Sequence, residues 1–310
     1  MHYLLIAAGF AALLLGGEVL VRGAVGVARR AGLPPLVIGL TLVGFGTSMP
    51  ELLTSVNAAL VGAPGIAVGN VVGSNVANIL LILGVAALMA PIAVDRAAFR
   101  RDAASLILAT LLAGALLATG ALGRTAGLIL VAGLAAFLFA TLRSGGGIAE
   151  PDEAEGPMPG RAASWALFGG GLAFVILGAD LLVRGATGLA RDLGVSEAVI
   201  GLTVVAVGTS LPELVTSVVA ARRGQAGVAF GNVLGSNVFN LLGILGATAL
   251  VAPIAVPAQI VAVDLWVMAA ATAALVGFAV SGWRISRREG AALLLAYAAY
   301  LGWLAAAAAA

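Results

Sequence analysis

Apolar residues run in long blocks along this chain, and the polar breaks between them are mostly short. Ten blocks can be marked: 3–28, 35–61, 66–90, 103–120, 124–142, 164–190, 197–221, 226–251, 259–281 and 289–306. Each is near the ~20 residues a helix needs to cross a ~30 Å hydrocarbon core. The pattern predicts an all-α polytopic membrane protein of ten transmembrane helices. One break is longer. Residues 143–163 include GGG, PDEAEGP and MPG, a glycine-, proline- and acid-rich stretch without apolar periodicity, and are expected to form a solvated linker. The linker separates 1–142 from 164–310, with five spans on each side, and is too short to hold a regulatory domain. The first block lacks a basic leader, and its Glu18 and Arg22 come late, so it is expected to be a retained span rather than a cleaved signal.

The two halves carry the same polar insertions. Adding 162 to a position in 39–84 gives its match in 201–246 without a gap, and 30 of these 46 positions are identical. Residues 46–51 read GTSMPE and 208–213 read GTSLPE; further on, GNVVGSNVAN matches GNVLGSNVFN. Glu18 and Arg22 align with Asp180 and Arg184, and Pro91 with Pro253. Because five spans is an odd number, the second copy is expected to cross the membrane upside down relative to the first. Inverted repeats with interrupted helices at matching places are the mark of an alternating-access transporter with its site at the midplane.

Composition agrees with the membrane reading. The 310 residues are 62% hydrophobic and 10% charged, with mean hydropathy +1.13. All sixteen basic residues are arginine, and their placement sets the orientation. With the N-terminus outside, twelve arginines fall in inside loops (29, 30, 96, 100, 101, 143, 161, 222, 223, 284, 287, 288), and only Arg124 and Arg191 fall outside. A multi-pass protein of the plasma (inner) membrane is expected, with both termini outside and the linker cytoplasmic. The net charge of +2 gives no reason to expect nucleic acid. Oligomeric state is not readable, and a monomer is compatible with everything above.

The repeated motifs bring together residues that are ill suited to lipid. Pro50 and Pro212 have no backbone N–H, so the carbonyls of Gly46 and Gly208 lose their helical donors and a broken or kinked helix is expected. Freed carbonyls at membrane depth must line a polar cavity or be buried in protein. An ionised carboxylate near the bilayer centre costs at least ~2.5–3.5 kcal/mol, yet no basic residue lies in either motif. Thr47 and Ser48 stand four and three residues before Glu51, as Thr209 and Ser210 do before Glu213, which in a continuous helix is one face. Carboxylate, hydroxyl and carbonyl oxygens on one face suit a hard cation such as Ca2+ or Na+. Ser74 with Asn78, and Ser236 with Asn240, are i,i+4 pairs that add neutral oxygens; Asn75 and Asn237 neighbour that face. Asn70 and Asn232 read as helix-end or packing residues. Gly69, Gly73, Gly231 and Gly235 have the spacing that lets helices pack closely.

Other polar residues are read structurally. Glu18 with Arg22, and Asp180 with Arg184, have the spacing of intrahelical ion pairs. Asp264 stands alone near an interface. The chain has no cysteine and one histidine, His2, so the usual nucleophile and acid–base sets are missing and an enzyme is not expected. No cofactor is called for.

The doubled GTSxPE and GNxxGSNxxN segments resemble the alpha repeats of the sodium/calcium exchanger family, of the prokaryotic type without large regulatory domains. The resemblance covers nearly the whole chain. It implies a ten-helix antiporter whose two repeats meet at a cluster of cation sites. Glu51 and Glu213 would then be central ligands shared by Ca2+ and Na+. Thr47, Ser48, Thr209 and Ser210 would add oxygens, and Gly44 and Ala206 would give carbonyls to outlying Na+ sites. Ser74 and Ser236 would line those sites, with Asn78 and Asn240 in the middle. Family members often carry Asp where this chain has Asn240, so its core holds two carboxylates rather than three. Three readings stay open: Ca2+/Na+ antiport, Ca2+ antiport coupled to H+, and a cation channel lined by the same oxygens.

Overall fold

The structure, a computed structural model, describes residues 1–144, 159–193 and 206–309. Most of the expected linker 143–163, the start of the expected span 197–221 and the opening of the second repeat block, 201–205, lie outside the described residues. The chain is built almost wholly of helix. Helix α1 (His2–Ala31) is followed by a segment in four pieces: α2 (Pro35–Ile38), a π-helical turn (Gly39–Val43), α3 (Gly44–Thr47) and α4 (Met49–Leu60). Next come α5 (Pro64–Ala77), a π turn (Asn78–Leu83) and α6 (Gly84–Met89), then α7 (Arg96–Leu117) and α8 (Arg124–Ser144). The second half has α9 (Arg161–Asp192), α10 (Ala206–Thr209), α11 (Leu211–Arg222), α12 (Ala226–Val238), a π turn (Phe239–Ile244) and α13 (Leu245–Val251). A last π turn (Ile260–Asp264) leads into α14 (Leu265–Gly282), and α15 (Arg287–Ala309) follows.

Seven helices among the described residues are long and apolar enough to cross a membrane, and the bent pair Leu36–Thr47 with Met49–Leu60 makes an eighth if it is one span. Helix α7, over the expected span 103–120, carries Arg96, Arg100, Arg101 and Asp102 in its first two turns and falls short of that apolarity. The fold is not purely helical. Four two-residue strands follow polar breaks that have no periodicity to read: β1 (Ile92–Ala93), β2 (Ala121–Leu122), β3 (Ile254–Ala255) and β4 (Arg284–Ile285). Strand β1 pairs with β4 and β2 with β3, both antiparallel.

These pairings are reciprocal between the halves. Strand β3 is β1 moved along by 162 residues, and each pairs with a strand from the opposite half. On α7 and α14, Thr110 and Thr272, 162 residues apart, face each other at 3.5 Å between their hydroxyls. Gly62 and Gly224, also 162 apart, both take the left-handed conformation (φ +74° and +72°) in the turns after α4 and α11, where a Cβ would be strained.

Helices α1 and α9 meet backbone to backbone. A Cβ on Gly9, Gly16 or Gly23 would stand 2.6 Å from Leu182 N, 2.8 Å from Val175 N and 2.2 Å from Phe168 N. The partner numbers fall as the glycine numbers rise, so the helices are antiparallel. From the other side, a Cβ on Gly171 or Gly178 would lie 2.3 Å from Leu20 N and 2.7 Å from Leu13 N. Small residues let helices approach closely where lipid offers no hydrophobic drive to associate. His2 meets Asp192 at one end of this pair (3.4 Å), and Arg30 donates to Pro159 O at the other (2.6 and 2.8 Å). These contacts and the two strand pairs all join segments that the arginine bias puts on the same side.

Two polar residues differ from expectation. Glu18 is paired with Arg223, beyond the end of α11, rather than with Arg22. The reason is that α1 packs along α11 and turns Glu18 toward it. Its aligned counterparts, Asp180 and Arg184, meet at 2.9 Å across one helical turn. Asp264 is neither alone nor at the surface. It is buried, and it accepts hydrogen bonds from Tyr300 Oη at 2.9 Å and Gln259 Nε2 at 3.5 Å. Ending a π turn, it faces α15 rather than the interface.

Candidate cation site

Each repeat places its acid just beyond a helix break. In the first, α3 ends at Thr47 and α4 begins at Met49, with a 44° change of direction. Ser48 between them has φ −85° and ψ 8°; Ser210, between α10 and α11, has −89° and 4°. Pro50 and Pro212 lie in the first turn of the new helices, where a missing N–H leaves no bond unmade. The break therefore falls two residues before the proline in each repeat. Glu51 and Glu213 also sit in those first turns, where the positive end of the helix dipole favours a carboxylate. This offsets part of the cost of an acid with no arginine beside it.

The breaks change which oxygens meet. Stacking of Ser48 under Glu51 needs an unbroken helix, and the chain turns at Ser48 instead. Ser48 Oγ donates to Glu213 Oε1 at 2.8 Å, and Ser210 Oγ donates to Glu51 Oε1 at 3.4 Å. Each carboxylate is thus held by the serine of the opposite half. Both glutamates are only 1% exposed, and Oε2 of each has no hydrogen-bond partner.

The second motif surrounds this pair. Asn78 opens the π turn Asn78–Leu83, and Asn240 lies in the π turn Phe239–Ile244. Such turns interrupt the helical ladder and recur at functional sites. Both asparagines are 1% exposed, and neither amide atom of either has a partner. Helix α11, which carries Glu213, packs on the Asn78 turn, and α4, which carries Glu51, packs on the Asn240 turn. Ser74 and Ser236 are buried, and Ser236 Oγ donates to Gly44 O at 3.3 Å. Thr47 Oγ1 lies 3.0 Å from Val43 O and 3.2 Å from Asn232 Oδ1, two acceptors for one proton. Thr209 closes α10, and Ala206 opens it at the edge of the described residues. Gly46 and Gly208 make room for neighbours: a Cβ there would meet Leu172 Cδ2 at 2.7 Å and Val183 Cγ2 at 2.1 Å, both on α9.

Two asparagines read as packing residues have a positioning role as well. Asn70 Nδ2 donates to Glu51 O (3.1 Å) and to Ser55 Oγ (2.9 Å); Asn232 Nδ2 donates to Glu213 O (3.3 Å) and to Ser217 Oγ (2.9 Å). Each clamps the turn that bears the acid. The sequence signal was available: Ser55 and Ser217 stand four residues after the glutamates in both copies. Asn75 and Asn237 instead donate to carbonyls four residues back, Val71 O at 2.8 Å and Val233 O at 2.7 Å, leaving their buried Oδ1 atoms unpaired.

Buried polar atoms in folded proteins nearly always have partners, and each orphan costs about 1–3 kcal/mol. Here the orphans gather between the two repeats: two carboxylate oxygens and four asparagine amides, with no basic side chain among the buried described residues. A group of such oxygens is a coordination shell for a hard cation.

Comparison with known proteins points the same way. The sequence pattern of the sodium/calcium exchanger protein family matches residues 1–143 and 163–306. The sodium/calcium exchanger MaX1 of Methanosarcina acetivorans is 34% identical, with 97% of each chain covered. Inner membrane protein YrbG of Escherichia coli K12 is also 34% identical, over 97% of this chain and 95% of that protein. A solved structure of the sodium-calcium exchanger NCX_Mj, soaked with Na+ and Sr2+, superposes with a TM-score of 0.87 at 33% identity, with 97% of each chain covered.

Proposed function

The chain belongs to the sodium/calcium exchanger family, and from that premise we propose that it exchanges Ca2+ for Na+ across the membrane through one site open to one side at a time. The ions share a midplane site built on Glu51 and Glu213. The observation that carries this reading is the exchange of serines between the halves: Ser48 on Glu213 and Ser210 on Glu51, with the second oxygen of each acid left free. A cation at that point needs both acids. Ca2+ and Na+ therefore compete for the same charge, and competition is what makes transport an exchange.

On this reading Thr47, Thr209, Ser74, Ser236, Asn78 and Asn240 complete the oxygen set, and the carbonyls of Gly44 and Ala206 serve outlying Na+. The fold is ten crossings in two inverted halves, 1–142 and 164–310, joined by a cytoplasmic linker, with both termini outside. Support for the inversion comes from the reciprocal strand pairs and from Thr110 meeting Thr272, contacts that an internal two-fold axis requires. Each half supplies one acid, so a small tilt of one bundle against the other can open the site to either face.

Purified protein in liposomes loaded with Na+ is expected to take up radiolabelled Ca2+ when the outside Na+ is diluted, and to stop when the Na+ gradient is collapsed. Uptake driven equally well by a pH gradient, with Na+ absent, would replace this reading with proton-coupled antiport. One observation favours that second reading: both acids are buried without a cationic partner, and protons also neutralise them.

A further inference from the structure

The charge of the site is fixed by its side chains, and it can be counted. Four acidic side chains are buried among the described residues: Glu51, Asp102, Glu213 and Asp264. Asp102 is already bonded to Arg101 at 2.8 Å, and Asp264 to Tyr300 at 2.9 Å; both stand at the starts of their helices, α7 and α14. Glu51 and Glu213 alone face the unpartnered amides between the repeats. At the two repeat-related positions that pack against the acid-bearing helices, the chain has amides, Asn78 and Asn240. Each amide offers an oxygen to a cation and adds no charge.

Resting on the sodium reading above, we infer that Asn78 and Asn240 hold the site at two negative charges and so make the exchange electroneutral, two Na+ for each Ca2+. A net charge enclosed away from water is strongly disfavoured. One Ca2+ neutralises two carboxylates, and so do two Na+. A third Na+ would enter the closed site as an uncompensated charge. The two loaded forms are then both neutral, and neither crossing moves charge through the membrane field.

The measurement is the balance point of reconstituted protein: the Ca2+ ratio at which net flux vanishes for a set Na+ ratio, read with and without a potassium diffusion potential set by valinomycin. For two Na+ per Ca2+, a roughly tenfold Na+ gradient holds a roughly hundredfold Ca2+ gradient, and the potential leaves that point unmoved. Were one net charge to move, each ~59 mV would shift the balance tenfold. Asn240→Asp and Asn78→Asp each place a third carboxylate in the basin. Each is expected to make the balance voltage-dependent, by up to about tenfold per 59 mV. A wild-type balance that moves with potential overturns the inference. Transport-competent Asn240→Asp and Asn78→Asp proteins that both keep the wild-type balance overturn it too, because site charge would not be setting the ratio. Ca2+ flux that ignores the Na+ gradient altogether is a different failure, and it removes the sodium reading itself.

Discussion

Glu213→Gln is expected to cut Na+-driven Ca2+ flux by roughly a hundredfold or more, and Glu51→Gln by a similar factor. The amide keeps the size of the side chain and its acceptor for the serine of the other half, so packing is little disturbed. What is lost is half of the charge that faces a dehydrated divalent ion. Removing one member of a buried charge pair typically costs about 3–5 kcal/mol, and each ~1.4 kcal/mol is a factor of ten. The site is symmetric in its bonding: Ser48 serves Glu213, Ser210 serves Glu51, and each acid keeps one free oxygen. Neither acid is a spare for the other. Glu18→Gln is the comparison. Glu18 and Arg223 are 47% and 40% exposed, and a pair so open to its surroundings contributes only ~0–1 kcal/mol. That variant should retain transport near the wild-type rate. Radiolabelled Ca2+ uptake by equal amounts of folded, reconstituted protein reads both effects. Ca2+ flux through Glu51→Gln and Glu213→Gln at wild-type rates would remove the acids from the site.

The second large effect is expected at a glycine. A Cβ on Gly235 would lie 2.3 Å from Leu40 O and 2.6 Å from both the carbonyl carbon and Cα of Leu40. All three are backbone atoms, so no side chain can rotate away, and the two segments must separate. Gly44 meets the same helix from the other side: its Cβ would stand 2.9 Å from Ser236 N. The crossing of α12 over Gly39–Val43 and α3 is therefore set by glycine, and it brings Ser236 against Gly44 O. Overpacking of this kind costs about 1–3 kcal/mol. Gly235→Ala should lower the thermal midpoint in detergent and weaken transport as Ser236 is pushed off Gly44. Gly169→Ala is the control. Its position on α9 is exposed with no atom within 4 Å of the added carbon, and alanine is the better helix former by ~0.5–1 kcal/mol. Equal midpoints for the two variants would show that α12 does not need this close approach.

Much of this architecture is readable from residues alone, because a bilayer forces the sequence to be explicit. Apolar blocks mark the helices, since no other solvent-facing pattern suits lipid. The acid beside a proline, written twice, marks the break and the candidate site, since both residues are poorly tolerated at that depth without a purpose. What cannot be read is which half's oxygens meet which acid. Ser48 is three residues from Glu51 in sequence, yet it bonds Glu213; only the 44° turn decides that. Glu18 fails for the same reason. Its near neighbour Arg22 has ideal helical spacing, but α11 brings Arg223 closer. The π turns at Asn78–Leu83 and Phe239–Ile244 have no residue signature, since one extra residue per turn is a matter of packing. Other features were legible but unread. Gly9, Gly16 and Gly23 recur every seven residues, as Gly171, Gly178 and Gly185 do at the matching positions. That period is the contact stripe of α1 against α9. Asp102 and Asp264 are likewise 162 residues apart, and the repeat offset alone would have paired them.

The account's central claim is that acids from opposite halves share one cation. It is tested most directly by locating the ion in crystals of this protein soaked with Sr2+ as a heavy stand-in for Ca2+. The account predicts an anomalous peak between the repeats that takes oxygens from both Glu51 and Glu213, at the ~2.3–2.6 Å of a calcium-type shell or slightly more. A peak bound to one glutamate alone, or separate ions on each with neither shared, would contradict it.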